Sequence, residues 1–289
     1  MHAPAPRSEV VYLDNNATTR IAPEVFEAMV PFLTEHYGNP SSAYSFGKRV
    51  EGHLKEAREK VASLVGCTPK EIIFTSCGTE SDNAAIWSAL QTTGKKHIVT
   101  TQVEHSAIMN QTEWLEKNGY GVTRLPVAAD GTLSLADVEK AIRDDTAIVS
   151  IMWANNETGV MFPVEEIASL CKKKGVLFHT DAVQTPGKID LRSVAKSDID
   201  FLSMSGHKLH APKGVGVLYV KKRTKIVPYV IGGGQERGKR GGTENVASII
   251  GLGRAAELAL GKLSDEQTRV RALRDRFEKA LLERLPNLY

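Results

Sequence analysis

Short apolar, β-branched runs recur along this chain with amphipathic segments between them: EIIFTS (71–76), HIVTT (97–101), AIVSIMWA (147–154), VLFHTD (176–181), DFLSMS (200–205) and VGVLYV (215–220). Runs of this length, rich in Val and Ile, read as strands. Helical patterns separate them, at PEVFEAMVPFLTEH (23–36), SDNAAIWSAL (81–90) and PVEEIASLCKKKG (163–175). The last has Pro163 near its start, Glu165 and Glu166 in its first turn, and lysines before Gly175, which is the order helix ends favour. Over 45–65, Val50, Leu54, Ala57, Val61 and Leu64 fall on one stripe and predict a helix packed on one side. Strands that are apolar throughout and alternate with helices imply an α/β fold, a mostly parallel sheet covered on both faces. Ligands then belong at the carboxyl ends of the strands. A last pattern, 265–285, carries Val270, Leu273, Phe277, Leu281 and Leu285 shortly before Tyr289. It predicts the start of a smaller domain, expected to be incomplete.

Composition narrows the partners. The 289 residues are 42% hydrophobic, enough for a large core, and 37 basic against 34 acidic residues leave a net charge of only +3. So mixed a surface favours neither nucleic acid nor a membrane. The start, MHAPAPRSEV, lacks an apolar signal region, and no segment is apolar for long enough to span a bilayer. Cys67, Cys77 and Cys171 are odd in number and have no CxxC spacing, so neither a disulfide framework nor a metal centre is expected, and a reducing cytoplasm fits best.

The chemistry concentrates where strands end. After EIIFTS come Gly78, Thr79 and, three residues on, Asp82, a capping-box pattern opening a helix whose free N–H groups suit a phosphate. Most such turns only cap helices. After HIVTT come Glu104 and His105, and after AIVSIMWA come Asn155, Asn156, Glu157, Thr158 and Gly159, which taken singly are ordinary turn residues. Asp181 ends a buried strand, where a carboxylate is costly unless paired. DFLSMS delivers Ser205, His207 and Lys208 to the same edge. One rim thus collects a phosphate cradle, an imidazole, an acid and an amine, the components a pyridoxal phosphate site requires.

These residues resemble the cysteine desulfurases of the NifS type, fold type I pyridoxal phosphate enzymes among the class V aminotransferase-like proteins. YLDNNATT, YGNPSS, FTSCGTESDN, EHSA, NNETG, HTDAVQ, SGHK, APKGVGVLYV and GGGQERGKRGGTENV follow that pattern in order from about Tyr12 to Leu260. The resemblance implies a seven-stranded, mostly parallel sheet in a large domain (21–255), an N-terminal segment (1–20) at the mouth of the site, and an incomplete α+β small domain (256–289). It implies that Lys208 carries the cofactor, that His105 stacks on its ring and assists proton transfer, that Asp181 pairs with the ring nitrogen and that Gln184 bonds the ring oxygen. Gly78, Thr79, Ser205 and His207 would hold the phosphate, and Asn156 would lie beside the substrate carboxylate, with Asn15 and Ala17 at the mouth. Thr243 would reach the phosphate of a neighbouring subunit in a homodimer.

The implied reaction takes sulfur from L-cysteine, leaves L-alanine, and passes the sulfur as an enzyme persulfide to an iron–sulfur scaffold protein. The nucleophilic cysteine and the carboxylate-clamping arginine of relatives lie beyond Tyr289, so residues 1–289 alone are expected to bind cofactor without turning over persulfide. Two other readings are a selenocysteine lyase or similar lyase, and a non-catalytic phosphate- or RNA-binding protein built on the loop from Arg237 to Thr243. Three basic residues are few for the latter.

Overall fold

The computed structural model describes residues 11–286, so half of the segment expected over 1–20, and the end of that expected over 256–289, lie outside the described residues. Seven strands, β1 (Ile72–Thr75), β2 (His97–Thr101), β3 (Gly121–Leu125), β4 (Thr146–Ser150), β5 (Leu177–Asp181), β6 (Phe201–Ser205) and β7 (Gly216–Val220), form one sheet in the order β1-β7-β6-β5-β4-β2-β3. Only β7 runs against its neighbours. β1 therefore points the same way as β2 to β6, and six carboxyl ends share one rim.

The apolar runs account for every strand except β3. That strand is the sheet's edge and is only half-buried apart from Leu125, so its sequence GVTRL needs no continuous apolar run. β4 is shorter than the run 147–154, because Ile151, Met152 and Trp153 are buried beyond the ladder. Successive strand residues feed opposite faces: Ile72 and Phe74 join one core, and Ile73 joins the other.

The helices are α1 (Pro23–Met29), α2 (Pro31–Thr34), α3 (Ser45–Val65), α4 (Gly78–Thr93), α5 (Ser106–Lys117), α6 (Leu135–Ala141), α7 (Val164–Lys173), the single turn α8 (Gln235–Gly238), α9 (Val246–Asp265) and α10 (Arg271–Arg284). The helix expected over 23–36 divides because Pro31 has no N–H to continue it and opens α2 instead. α3 buries its expected stripe and ends at Gly66, whose φ of 72° is the left-handed conformation that glycine adopts at least cost. α9 runs unbroken past residue 255 and continues through a π turn, Glu266–Val270, into α10. α10 leaves Leu273, Phe277 and Leu282 exposed, as is Leu285 just after it. Small residues let α9 approach α3 closely: a Cβ at Gly253 would lie 2.7 Å from the Ala57 Cα.

One close approach fixes the rim. A Cβ at Gly216 in β7 would lie 2.5 Å from the Cys77 carbonyl carbon and 2.7 Å from its oxygen, so only glycine lets β7 pass the turn that follows β1. Gly216→Ala is expected to destabilise the protein by about 1–3 kcal/mol, the usual cost of overpacking. The check is a lower urea midpoint with an unchanged m value.

Candidate active site

A cavity of about 410 Å³ opens on the shared rim. Gly78 and Thr79 after β1, His105 after β2, Asn156 after β4, Asp181 and Gln184 from the end of β5, and Ser205, His207 and Lys208 from the end of β6 all line it. Thr243, expected to serve a neighbouring subunit, is exposed and lies outside this cavity. A larger groove of about 1470 Å³ between α3 and the β1 edge contains none of these residues.

At one end of the cavity α4 begins. Its N-cap is Cys77, no side chain caps it, and its first residue, Gly78, has no room for a side chain because a Cβ would meet Val183 Cγ2 at 2.8 Å. The Thr79–Asp82 capping box does not form. With the cap at Cys77 the third helical residue is Glu80, and its Oε2 accepts from the Ser76 N–H at 2.8 Å. Asp82 lies further along the helix, buried on the cavity floor, and its Oδ1 has no partner among the described residues. Ser205 and His207 close this end, with His207 Nδ1 3.1 Å from Thr18 Oγ1. Burial, then Lys208 and Lys213, holds the His207 imidazole below its ordinary range.

At the other end the acids gather. Asp181 is 6% exposed and accepts from the Val183 N–H at 2.9 Å. Burial raises its carboxyl above the usual range, and the Val183 bond, His105 and Lys208 offset part of that rise. Burial and then Asp181 push Asp82 well up. Below them His179 is held by Ser150 Oγ at 2.8 Å and Ser203 Oγ at 2.9 Å, 3.5 Å from Asp82, and burial pushes it down to about 3, so its ring is neutral.

Burial lowers the Lys208 amine, with Asp14 and Asp181 pulling the other way. Its Nζ donates to the Asn16 carbonyl and, at 2.9 Å, to that of Ala17, while Gln184 Nε2 donates to Asn16 at 3.0 Å. Ala17 is thus at the mouth as expected, whereas Asn15 lines a neighbouring cavity shared with Lys208.

Two further residues set the frame. Glu104 is buried, accepts from Thr101 Oγ1 at 2.7 Å, and takes the Met152 N–H on both carboxyl oxygens at 3.0 and 3.1 Å, tying β2 to the chain beyond β4. It immediately precedes His105, whose Nδ1 accepts from the Ala107 N–H at 3.1 Å and caps α5. Asn155 gathers the Glu157 and Thr158 N–H groups on its Oδ1 and donates to Val103, which presents Asn156 to the cavity. Its place in a polar cluster after a strand was the only sequence signal for that role. Of the cysteines, Cys77 lines the cavity, while burial pushes Cys67 and Cys171 up to about 12.

An amine and a buried acid line one chamber together with an uncapped helix start. This donor set suits a phosphorylated pyridine aldehyde. Such an arrangement on a seven-stranded sheet with one reversed strand defines a class, and the aminotransferase class-V family model matches residues 11–288. The cysteine desulfurase NifS of Azotobacter vinelandii is 53% identical over 281 residues, covering 96% of this chain and 70% of the relative. A cysteine desulfurase of Trichormus azollae is 53% identical with the same coverage, and the IscS of Clostridium botulinum is 48% identical. Among solved structures, a NifS-like protein superposes with a TM-score of 0.91 at 45% identity, covering 94% of this chain and 76% of that one. SspA in complex with cysteine gives 0.82 at 40%, covering 85% and 72%. The chain belongs to the class-V aminotransferase family and, within it, to the cysteine desulfurases.

The Glu104 carboxyl has a testable pH signature. Burial is the largest influence on it and raises it from 4.5 to about 8. Between those values the native state holds a proton that the unfolded chain has released. The stability this contributes is therefore complete below about 4.5 and is lost as pH rises through about 8. Glu104→Gln is expected to flatten the fall in stability across that window relative to the parent, measured by denaturation midpoints at matched pH values.

Proposed function

We propose that this protein is a pyridoxal phosphate-dependent cysteine desulfurase that takes sulfur from L-cysteine for iron–sulfur cluster assembly, of the nitrogen-fixation type. The observation that carries the reading is Lys208 and Asp181 lining one cavity at an uncapped helix start, in a chain 48–54% identical to cysteine desulfurases. Bound there, the cofactor supplies an electron sink for the bonding pair left at the α carbon of an amino acid.

The chain's own residues do the rest. Gly78 and Thr79 offer N–H groups to the phosphate, with Ser205 and His207 beside them. Asp181 would pair with the ring nitrogen, where a carboxylate favours the protonated form. Gln184, whose Nε2 donates to the Asn16 carbonyl, would be the donor to the ring oxygen. Lys208, its amine made easier to deprotonate by burial, is the nucleophile that would hold the cofactor and, once freed, could serve as a base. His105 presents its ring to the cavity, Asn156 lies beside the substrate carboxylate, and Thr243 serves the second subunit of a homodimer. The assembly works in a reducing cytoplasm, with 1–20 contributing to the small domain and the mouth of the site, 21–255 forming the large domain and 256–289 beginning the small domain.

A selenocysteine lyase would share these groups, and the names of the relatives favour the desulfurase. RNA binding by the arginine loop is disfavoured because its arginines are already engaged: Arg237 Nη2 donates to the Ile72 carbonyl at 2.7 Å, and Arg240 pairs with Glu80.

Purified protein supplied with pyridoxal phosphate is expected to be yellow, with a visible absorption band perturbed by L-cysteine and absent in a folded Lys208→Ala variant. A colourless protein unresponsive to added cofactor would defeat the reading. Residues 1–289 alone are expected to release no sulfide to a reductant. Cys67 and Cys171 are held as thiols, and Cys77 is fixed at the start of α4 by the passage of Gly216. Rapid sulfide release would place the sulfur-accepting thiol among these three.

A further inference from the structure

The first turn of α4 is open toward the cavity, yet its third residue is an acid. The Glu80 side chain is 10% exposed and folds back onto Ser76. Burial alone would favour its neutral form, but bonds from Arg240 and Ser76 hold the carboxyl below its usual range, so it is ionised. A carboxylate on the same turn as Gly78 and Thr79 opposes any anion bound there, and the repulsion grows as water is excluded.

Arg240 meets that charge from 160 residues away in sequence. Its Nε lies 2.9 Å from Oε1 and its Nη2 3.1 Å from Oε2, a two-pronged contact that orients as well as neutralises. The Arg240 side chain is 24% exposed, and the loop bearing it is closed at its neck. Gly241 N–H donates to the Val230 carbonyl at 2.8 Å, and a Cβ at Gly241 would lie 2.5 Å from the Gly232 Cα. Arg240 does not line the cavity, so it acts on the cavity through Glu80.

Resting on the cofactor reading above, we infer that Arg240 is a positioning residue for the phosphate end of the site: it screens Glu80 so that the start of α4 can accept a dianion. A charge screen differs from a direct phosphate ligand in what repairs its loss. Removing Arg240 exposes the Glu80 charge, and removing that charge as well restores the site.

The experiment titrates the parent, Arg240→Gln, Arg240→Lys and the double variant Arg240→Gln/Glu80→Gln with pyridoxal 5′-phosphate and with pyridoxal, which lacks the phosphate, following the visible band. Arg240→Gln is expected to bind pyridoxal 5′-phosphate at least about tenfold more weakly, with pyridoxal changed by less than about twofold. The double variant is expected to recover to within about threefold of the parent, and Arg240→Lys to keep most of the affinity because it keeps the charge. Equal loss for both ligands, or no loss for either, overturns the inference. So does a double variant no better than Arg240→Gln, which would make Arg240 a direct ligand. Should Arg240→Gln fail to fold, the Arg240→Lys and double variants carry the test: an affinity for the phosphorylated ligand more than about tenfold below the parent in both overturns it. A parent protein that binds neither ligand defeats the functional reading itself.

Discussion

Taking the Asp181 carboxyl out of water is the constraint around which this molecule is arranged. The end of a buried parallel strand is a poor place for a charge, and one backbone N–H bond does not offset the loss of hydration. A cation must lie across the cavity from it, and Lys208 is delivered there by the neighbouring strand of the same sheet. Each member of the pair makes the other's charge tolerable. Burial moves both toward neutrality, and each resists that movement in its partner. Asp82, buried beside them with no such partner, is pushed well above the usual carboxylate range by burial and then by Asp181.

The same economy appears around the rim. Glu104 and Asn155 hold no ligand, but they fasten the turns after β2 and β4 to one another, so that His105 and Asn156 face the cavity from a fixed frame. The passage of Gly216 against Cys77 does likewise for the turn after β1. Chemistry is spread over five turns, while rigidity comes from a handful of main-chain contacts between them.

Much of this was legible in the chain. Six strands announced themselves because both their faces are buried, and β3 did not because the edge of a sheet asks less of its residues. α9 escaped notice because its contact with α3 is made by glycine and alanine rather than by a stripe of large residues. Every cofactor-site residue read from the sequence except Thr243 lines one cavity, since strand ends are local signals and a parallel sheet collects them. The helix start was misread by two residues, at Thr79 instead of Cys77, which pointed to Asp82 as the acid of the first turn where the structure has Glu80, bonded to the Ser76 N–H. The parts played by Glu80 and Glu104 were not legible, because what each does is decided by partners such as Arg240 and Met152, 160 and 48 residues away.

The cap that His105 places on α5 has a consequence for acid–base traffic. A main-chain N–H can only donate, so the ring nitrogen that receives it from Ala107 must present a lone pair, and the neutral imidazole keeps its hydrogen on Nε2. Helix α5 therefore acts as a tautomeric lock, reserving one nitrogen for architecture and leaving a single port through which this ring can exchange hydrogen.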